Sequence, residues 1–519
     1  MLKILGSPTY SVRKISAIVS ISGFVMGMDI SSLALFIGTE GFETIFEKPN
    51  PIEQGLLVGA SPLGGLVGCL LYGILVRRID RVTLFRLGAM IWIKGSILNV
   101  LAFNIWILAV SRWIKGLAAG LFSILLAAYI GEVVPKEKKG KSMAFVQLSF
   151  ASSILVIYYV SVSLNYFQMQ LAARLTWSLE MIPAVLLLVS TIWLPESPEW
   201  LILHGQYDKA EEIQNNLALQ YNKENKNCSA KLLNKLDLAL IYEECSSEFK
   251  FRDFIKENCC RQTIMGSVLQ LLVQFSGINI LMYYITFICD MIGLEGSARI
   301  ASASIPYVIN CFLSLLPITF LDHVRRKDIT LAGSFPLGIL MITIGTLMAV
   351  YGHQVEPING NKSLIWAVDR NTGPLILGLC YLFIAIFSVT LSCGPWIYTN
   401  EILPPRSKAK ALPICMSAGW LANFSLTLLA PTMMVSLKWG TFILLGAVTL
   451  LISIAILVLF PETKYLSRTE IDLLYAKNKV SKATKPERPK DQSSISSSDP
   501  ESPDTSQHLT PIVIEDQRT

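Results

Sequence analysis

The chain has 519 residues, of which 52% are hydrophobic and 16% are charged, and its mean hydropathy is +0.51. This composition excludes an ordinary soluble globular protein and predicts an integral membrane protein. The formal net charge of +6 follows from basic loops, so it gives no reason to propose nucleic acid as a partner.

Twelve apolar stretches follow one another along the chain. A helix needs roughly 20 apolar residues to cross the hydrocarbon core of a bilayer, and each stretch has about that length. They are residues 15–35, 55–76, 83–103, 105–129, 143–164, 175–194, 263–287, 300–321, 329–351, 374–398, 411–435 and 440–460. The sequence therefore predicts an all-α membrane protein with twelve transmembrane helices embedded in the lipid bilayer.

Basic residues cluster in alternate loops. Examples are Arg77, Arg78 and Arg81 after the second stretch, and Arg325, Arg326 and Lys327 after the eighth. Because short basic loops stay in the cytoplasm, these ends are predicted to be cytoplasmic. Both termini are then cytoplasmic as well.

Two short phrases occur twice. Residues 132–135 read EVVP and residues 401–404 read EILP, about 270 residues apart, while 195–197 and 461–463 read PES and PET. The repeats predict a duplicated six-helix unit. Two similar membrane halves facing each other are how many carriers build a site at the bilayer midplane.

The repeats also set the expected domain division. We expect an N-terminal half over 1–194, a cytoplasmic linker domain with short amphipathic helices over 195–261, and a C-terminal half over 262–476. Residues 477–519 are basic and then rich in Ser, Pro and acidic residues, which predicts a disordered cytoplasmic tail.

Cysteine usage predicts neither disulfides nor metal. The ten cysteines lie in predicted helices or cytoplasmic segments, and the Cys259-Cys260 pair lacks the spacing of a metal site. No cofactor is expected. The sequon Asn361-Lys362-Ser363 lies in the predicted outer loop between helices 9 and 10, so Asn361 is a predicted glycosylation site.

One ionisable pair is predicted inside the membrane. Asp29 lies in the middle of helix 1, where an ionised side chain costs roughly 2.5 to 3.5 kcal/mol on insertion scales. Arg112, near the start of helix 4, is the best partner available. The pair is either a static contact that fixes helix packing or a titratable, gating pair that couples transport to protons.

Uncharged polar side chains in the helices point to a neutral solute. Amides offer donors and acceptors without a fixed charge, which suits the hydroxyl groups of a sugar or polyol, and tryptophan faces pack on a sugar ring. Interhelical packing, or an interfacial anchor for a tryptophan, is the alternative for each one. The residues are Gln147, Gln274, Asn279, Asn310, Trp396, Trp420 and Asn423.

An ordered series of motifs runs from about residue 12 to residue 475. It comprises Gly27-Met28-Asp29, Arg112 with Gly116 and Gly120, YIGE at 129–132, Gln147, PESP at 195–198, QFSGIN at 274–279 with Tyr283-Tyr284, GPW at 394–396, Trp420 with Asn423, and PETK at 461–464. In this order the motifs resemble those of the sugar porter family of the major facilitator superfamily. The chain looks like a divergent, fungal-type member, which implies the major facilitator fold with two pseudo-symmetric halves.

The resemblance also implies roles for individual residues. Positions 147, 274, 279, 310, 396 and 423 would contact the sugar, Trp420 would line the site, and Tyr283 with Tyr284 would help to close the outer gate. Cytoplasmic ion pairs that latch the outward-facing state would come from Arg81, Glu132, Lys139, Arg326, Glu401 and Lys408.

Several positions depart from the family pattern. Val273 replaces one of two adjacent glutamines, Glu180 replaces a neutral amide, and Arg77 stands where the family has Asp. Glu199 stands where the family has Arg. We hypothesise that the last two reversals, Arg77 and Glu199, compensate each other in one latch.

Together these features predict a carrier, not an enzyme, that moves a hexose or related neutral sugar or polyol as a facilitator or a proton symporter. The alternatives are a carrier for a disaccharide, a cyclitol or a glycerol-like polyol, and a non-transporting sugar sensor on the same scaffold. We expect a monomer in the plasma membrane, with an internal membrane as the alternative.

Overall fold

A computed structural model describes residues 11–34, 36, 46, 49–135, 138–164, 169–224, 259–356 and 365–464. Residues 225–258 of the predicted linker, Asn361 and the predicted tail lie outside the described residues.

In its described residues, the N-terminal half of the chain has seven helices, which form the six predicted spans. They are α1 (Val12–Ala34), α2 (Pro51–Leu75), α3 (Arg81–Val100), α4 (Ile105–Val133), α5 (Lys139–Leu164), α6 (Met169–Leu179) and α7 (Met181–Ser190), the last followed by a 3-10 turn (Thr191–Trp193). Polar residues in the loops start several of them. Asn50 and Glu53, for example, form reciprocal side chain–backbone hydrogen bonds of 2.8 and 2.9 Å at the start of α2.

In the described part of the predicted linker, two helices follow, α8 (Pro198–Leu203) and α9 (Tyr207–Glu224). They pack on each other through Leu201, Ile202 and Ala210. The division of the chain into halves, linker and tail stays a prediction.

Over 259–356 and 365–464, the C-terminal half has ten helices and one small hairpin. Its helices are α10 (Cys259–Phe275), α11 (Ile278–Tyr283), α12 (Ile285–Met291), α13 (Gly296–Leu313), α14 (Pro317–Phe320), α15 (Arg326–Val350), α16 (Gly373–Val389), α17 (Gly394–Ile402), α18 (Pro405–Ser436) and α19 (Gly440–Leu459). Between α15 and α16, β1 (Gly352–Gln354) pairs antiparallel with β2 (Trp366–Val368), with His353 opposite Ala367.

The helical prediction is confirmed. In the described part of the chain, eleven helices or helix groups are long and apolar enough to cross a membrane. The remaining predicted span, the third, corresponds to α3, whose hydropathy is lowered by Arg86 and Lys94 in its interior. The outer surface carries exposed apolar side chains, such as Val458 at 73% and Leu451 at 66% exposure, as expected where lipid replaces water.

Several predicted spans contain breaks that hydropathy does not reveal. The seventh span is divided into α10, α11 and α12, and Gly277 between the first two has a φ of 92°, a left-handed conformation that favours glycine. The tenth span is divided between α16 and α17. In both places the break lies beside polar side chains described below.

The two halves meet along two lines of helix contact. On one line, α2 packs against α18, and glycines on α2 permit the close approach: a Cβ at Gly55 would lie 2.3 Å from the Leu428 carbonyl oxygen, and one at Gly65 would lie 2.5 Å from the Trp420 ring. On the other line, α5 packs against α13. The space between these lines is where the candidate site lies.

Candidate functional site

A cavity of about 170 Å³ lies between the two halves. The N-terminal half contributes α1, α2, α4 and α5 to its wall, and the C-terminal half contributes α10, α11, α13, α16, α17 and α18. All seven residues predicted to bind substrate line it: Gln147, Gln274, Asn279, Asn310, Trp396, Trp420 and Asn423. Asp29 and Tyr283 line it as well.

Hydrogen bonds hold several of these side chains in place. The Asn279 amide donates to Gln274 Oε1, Ser388 Oγ donates to Asn310 Oδ1 over 2.8 Å, and Trp420 Nε1 donates to Ser123 Oγ over 3.1 Å across the two halves. Among the described residues, the buried Asn423 Oδ1 has no hydrogen-bond partner. A buried acceptor without a partner is costly, so this oxygen is suited to receive a hydroxyl group from a bound solute.

The rest of the wall is largely apolar. It includes Met26, Phe150, Ile154, Val273 and Met416. Val273, which replaces the family's second glutamine, is 8% exposed and faces the cavity with a methyl surface instead of an amide. The site therefore offers a few polar contacts on an apolar surface, as small-molecule sites usually do.

Asp29 contacts the partner predicted for it and also one that was not predicted. Arg112 Nη2 lies 3.1 Å from Asp29 Oδ2, and Lys115 Nζ lies 2.7 Å from Asp29 Oδ1. Lys115 Nζ also lies 2.7 Å from Glu180 Oε2. The sequence contained a signal for this network, because Lys115 and Glu180 are both intramembrane charges that need partners.

Two similar ion pairs lie at corresponding positions in the halves. Arg81 pairs with Glu132 through two hydrogen bonds of 3.0 and 3.1 Å, and Arg326 pairs with Glu401 over 3.1 Å. Each arginine is thus bound inside its own half and does not bridge the halves. Of the other predicted gating residues, Lys139 donates to the Gly131 carbonyl, and a Cβ at Gly131 would lie 3.5 Å from Lys408 Nζ.

The repeated glutamates after the sixth and twelfth spans act as backbone caps. Glu196 accepts hydrogen bonds from the Arg81 and Val82 amides at 2.9 and 3.2 Å. Glu462 accepts from the Arg326 and Lys327 amides at 3.0 and 3.1 Å. Burial raises the pKa of Glu196 to about 7, although its amide donors favour the ionised form.

Contacts between the halves lie on both sides of the cavity. At the start of α5, the Gly140 and Lys141 amides donate to the Asp322 carboxylate over 2.8 and 3.0 Å. Further along α5, beyond the cavity-lining residues, Tyr158 Oη donates to the Ile300 carbonyl over 2.9 Å. The cavity therefore lies between two sets of contacts.

Sequence reasoning missed Asp322. The internal repeat could have identified it. Asp322 lies before Arg326 at the same spacing at which position 77 lies before Arg81, and the family pattern has Asp at position 77. Arg77 is exposed and forms no ion pair with another described residue, so the hypothesised Arg77–Glu199 pair is absent from the described part of this conformation. The outer-gate candidate Tyr284 is fully buried, and its hydroxyl donates to the Thr427 carbonyl over 3.3 Å.

These features define an α-helical, multi-pass membrane carrier with the major facilitator fold. The chain belongs to the sugar (and other) transporter family, whose family model matches residues 15–475. It is therefore a member of a transporter family and not an enzyme.

The chain is similar to two fungal transport proteins and to one transporter of known structure. A probable metabolite transport protein of Saccharomyces cerevisiae is 44% identical over 477 residues, covering 92% of this chain and 88% of the relative. A high-affinity glucose transporter of Kluyveromyces lactis is 27% identical, covering 90% and 86%. A structure of the proton:xylose symporter XylE has a TM-score of 0.72 at 21% identity, covering 89% of this chain and 99% of that one.

Proposed function

We propose that the chain moves a hexose or a related neutral sugar or polyol across a membrane by alternating access. The observation that carries the proposal is the cavity between the halves, lined by six amide side chains and two tryptophans. Hydroxyl groups of a neutral solute would pair with the amides, and Asn423 Oδ1 is the acceptor most in need of such a partner.

The charge and size of the cavity support a small neutral solute. Among the described residues that line it, Asp29 is the one charged side chain, and it belongs to a group in which Arg112 and Lys115 balance the charges of Asp29 and Glu180. A cavity of about 170 Å³ is smaller than the pockets of about 300 to 1,000 Å³ that hold drug-sized ligands. Both facts favour a monosaccharide or a small polyol over a disaccharide or an anion.

The remaining assignments follow from this proposal. Tyr283 and Tyr284 would act at the outer gate, and the pairs Arg81–Glu132 and Arg326–Glu401, with Lys139 and Lys408, would hold the cytoplasmic ends. The basic loops favour cytoplasmic termini. The plasma membrane is our choice of location, and a monomer is sufficient because both halves of the cavity come from one chain.

Uptake into sealed proteoliposomes tests the proposal. The purified chain is assayed with labelled glucose, xylose, galactose, arabinose, myo-inositol, glycerol and maltose, against liposomes without protein. We expect saturable exchange of at least one monosaccharide or polyol. Intact protein that exchanges none of them would refute transport, and sugar binding without exchange would indicate a sensor.

A variant of Asn423 tests the site itself. Asn423→Ala removes one acceptor, and the loss of one hydrogen bond should raise the half-saturating concentration about three- to tenfold. Ser425→Ala is the matched control, because Ser425 lies on the same helix, is partly exposed and donates only to the Leu421 carbonyl in the described structure. Equal behaviour of the two variants would exclude Asn423 from substrate binding.

A further inference from the structure

A second buried ion pair lies behind Asp29. The Lys115 ammonium lies 2.7 Å from both Asp29 Oδ1 and Glu180 Oε2, and the side chains of Lys115 and Glu180 are 0% exposed. With Arg112 on the other carboxylate oxygen of Asp29, the four groups form one line of alternating charge: Arg112, Asp29, Lys115 and Glu180. Two cations balance two anions.

The surroundings of Asp29 add no further full charge. Helix α4 presents Arg112 and Lys115, α2 presents Ser61, α11 presents the Tyr283 hydroxyl, and Glu180 lies beyond Lys115 at the junction of α6 and α7. Helix α3 places the Trp92 ring 5.6 Å from Lys115 Nζ. The face of α5 that packs on α1 presents Val146, Phe150 and Ser153.

The geometry leaves little opportunity for a proton at Asp29. Of the four charged groups, Asp29 alone lines the cavity, so a proton arriving from either side would have to bind there. Both of its carboxylate oxygens already contact a cation, Oδ1 the ammonium and Oδ2 the guanidinium. A proton on Asp29 would leave two buried cations facing one buried anion, which a water-poor interior strongly disfavours.

Glu180 explains how a second cation is tolerated. A lone lysine at position 115 would be an uncompensated buried charge. Glu180 balances it, so the whole network is neutral when Asp29 is ionised. The family pattern has a neutral amide at position 180. In this chain Glu180 and Lys115 instead form a pair of charges that compensate each other.

We propose that Asp29 stays ionised throughout the transport cycle and that the chain is a uniporter, carrying its solute without protons. Lys115 is the positioning residue that enforces this, and the Glu180 carboxylate, 2.7 Å from the Lys115 ammonium, balances its charge. The inference rests on the proposed transport function. The proposed transport function and the proposed uniport mechanism can be refuted separately. A proton-coupled carrier would still exchange sugar, whereas a non-carrier would not.

Full-length protein in proteoliposomes tests the proposal with the labelled solute, from the panel above, that exchanges fastest. An imposed gradient of about two pH units, acidic outside, would allow a one-proton symporter to accumulate solute up to about 100-fold, since each unit corresponds to a factor of about ten. We expect no accumulation above equilibrium, and no solute-driven change in the fluorescence of trapped pyranine. Concentrative uptake, or proton entry with the solute, would overturn the proposal.

A paired variant tests the role of the second ion pair. Lys115→Met combined with Glu180→Gln replaces two opposite charges by neutral side chains of similar size, so it avoids the unpaired charge that either single change leaves. We expect the rate of equilibrium exchange to become dependent on pH in this variant, while wild-type exchange stays flat between about pH 5.5 and 8. A flat profile in the folded double variant would overturn the role of Lys115.

A third measurement covers the case in which the double variant does not fold. Movement of a neutral solute alone carries no charge, so wild-type uptake should not respond to a membrane potential set by potassium and valinomycin. Uptake that an inside-negative potential accelerates more than threefold would contradict uniport.

Discussion

Asp322→Ala should weaken the contact between the two halves at their predicted cytoplasmic ends, and so shift the chain towards the opposite conformation. Asp322 joins the C-terminal half to the start of α5 through two amide hydrogen bonds of 2.8 and 3.0 Å. Each hydrogen bond to a charged group contributes about 1.5 to 3 kcal/mol. Burial raises the pKa of Asp322 and the two amides oppose this shift, so the low end of that range applies.

The expected magnitude follows from these two bonds. Their loss should weaken the contact by about 3 kcal/mol, twice the low end of that range, which changes the ratio of the two conformations about 150-fold. Replacement by Ala is preferred to Asn, because an asparagine oxygen would still accept one of the two bonds.

Spin labels on the cytoplasmic ends of the two halves measure the ratio, through the distance distribution between them. Asp328→Asn is the matched control, because Asp328 pairs with Arg325 in an exposed contact, with side chains 52% and 65% exposed. Such surface pairs contribute about 0 to 1 kcal/mol. If both variants gave the wild-type distance distribution, Asp322 would not hold the halves together.

Two further predictions concern stability and access. Glu132→Gln leaves the Arg81 guanidinium buried with only part of its charge compensated, so the free energy of unfolding should fall by about 3 kcal/mol, measured by thermal denaturation beside the Asp328→Asn control; an unchanged thermal midpoint would contradict this. Gly65→Ala places a methyl group 2.5 Å from the Trp420 ring, which should cost about 1 to 3 kcal/mol and slow sugar exchange. Gly378→Ala is the control, because a Cβ there meets nothing within 4 Å, and it should leave the rate of sugar exchange unchanged. Equal exchange rates in the two glycine variants would show that the Trp420 ring tolerates the methyl group.

Hydropathy predicted the helices because the hydrocarbon core imposes one length on every span. It could not predict the break at Gly277, since that glycine lies in a run of residues that still reads as one apolar stretch. What requires glycine there is visible only in the folded chain: the φ of 92°, and the Met341 side chain, whose Cε would lie 2.0 Å from a Cβ at Gly277.

The candidate site was accessible to sequence reasoning for a similar reason. An amide in a membrane helix is rare enough to be noticed one residue at a time, and all five predicted amides line the cavity. Which of the buried charged side chains contact each other could not be predicted from the sequence. Lys115 and Glu180 are 65 positions apart, and nothing along the chain states which of two nearby cations Asp29 contacts. Only the packing of α1 against α4 reveals that it contacts both.

The line of contact between α2 and α18 has a mechanical consequence. The rings of Phe424 and Trp420 on α18 lie against Gly59 and Gly65 of α2, where a Cβ would approach them to 3.2 and 2.5 Å. Tilting α18 over α2 therefore requires these two rings to leave the space that the glycines provide. Because Trp420 also lines the cavity, such a tilt changes the wall against which a solute lies.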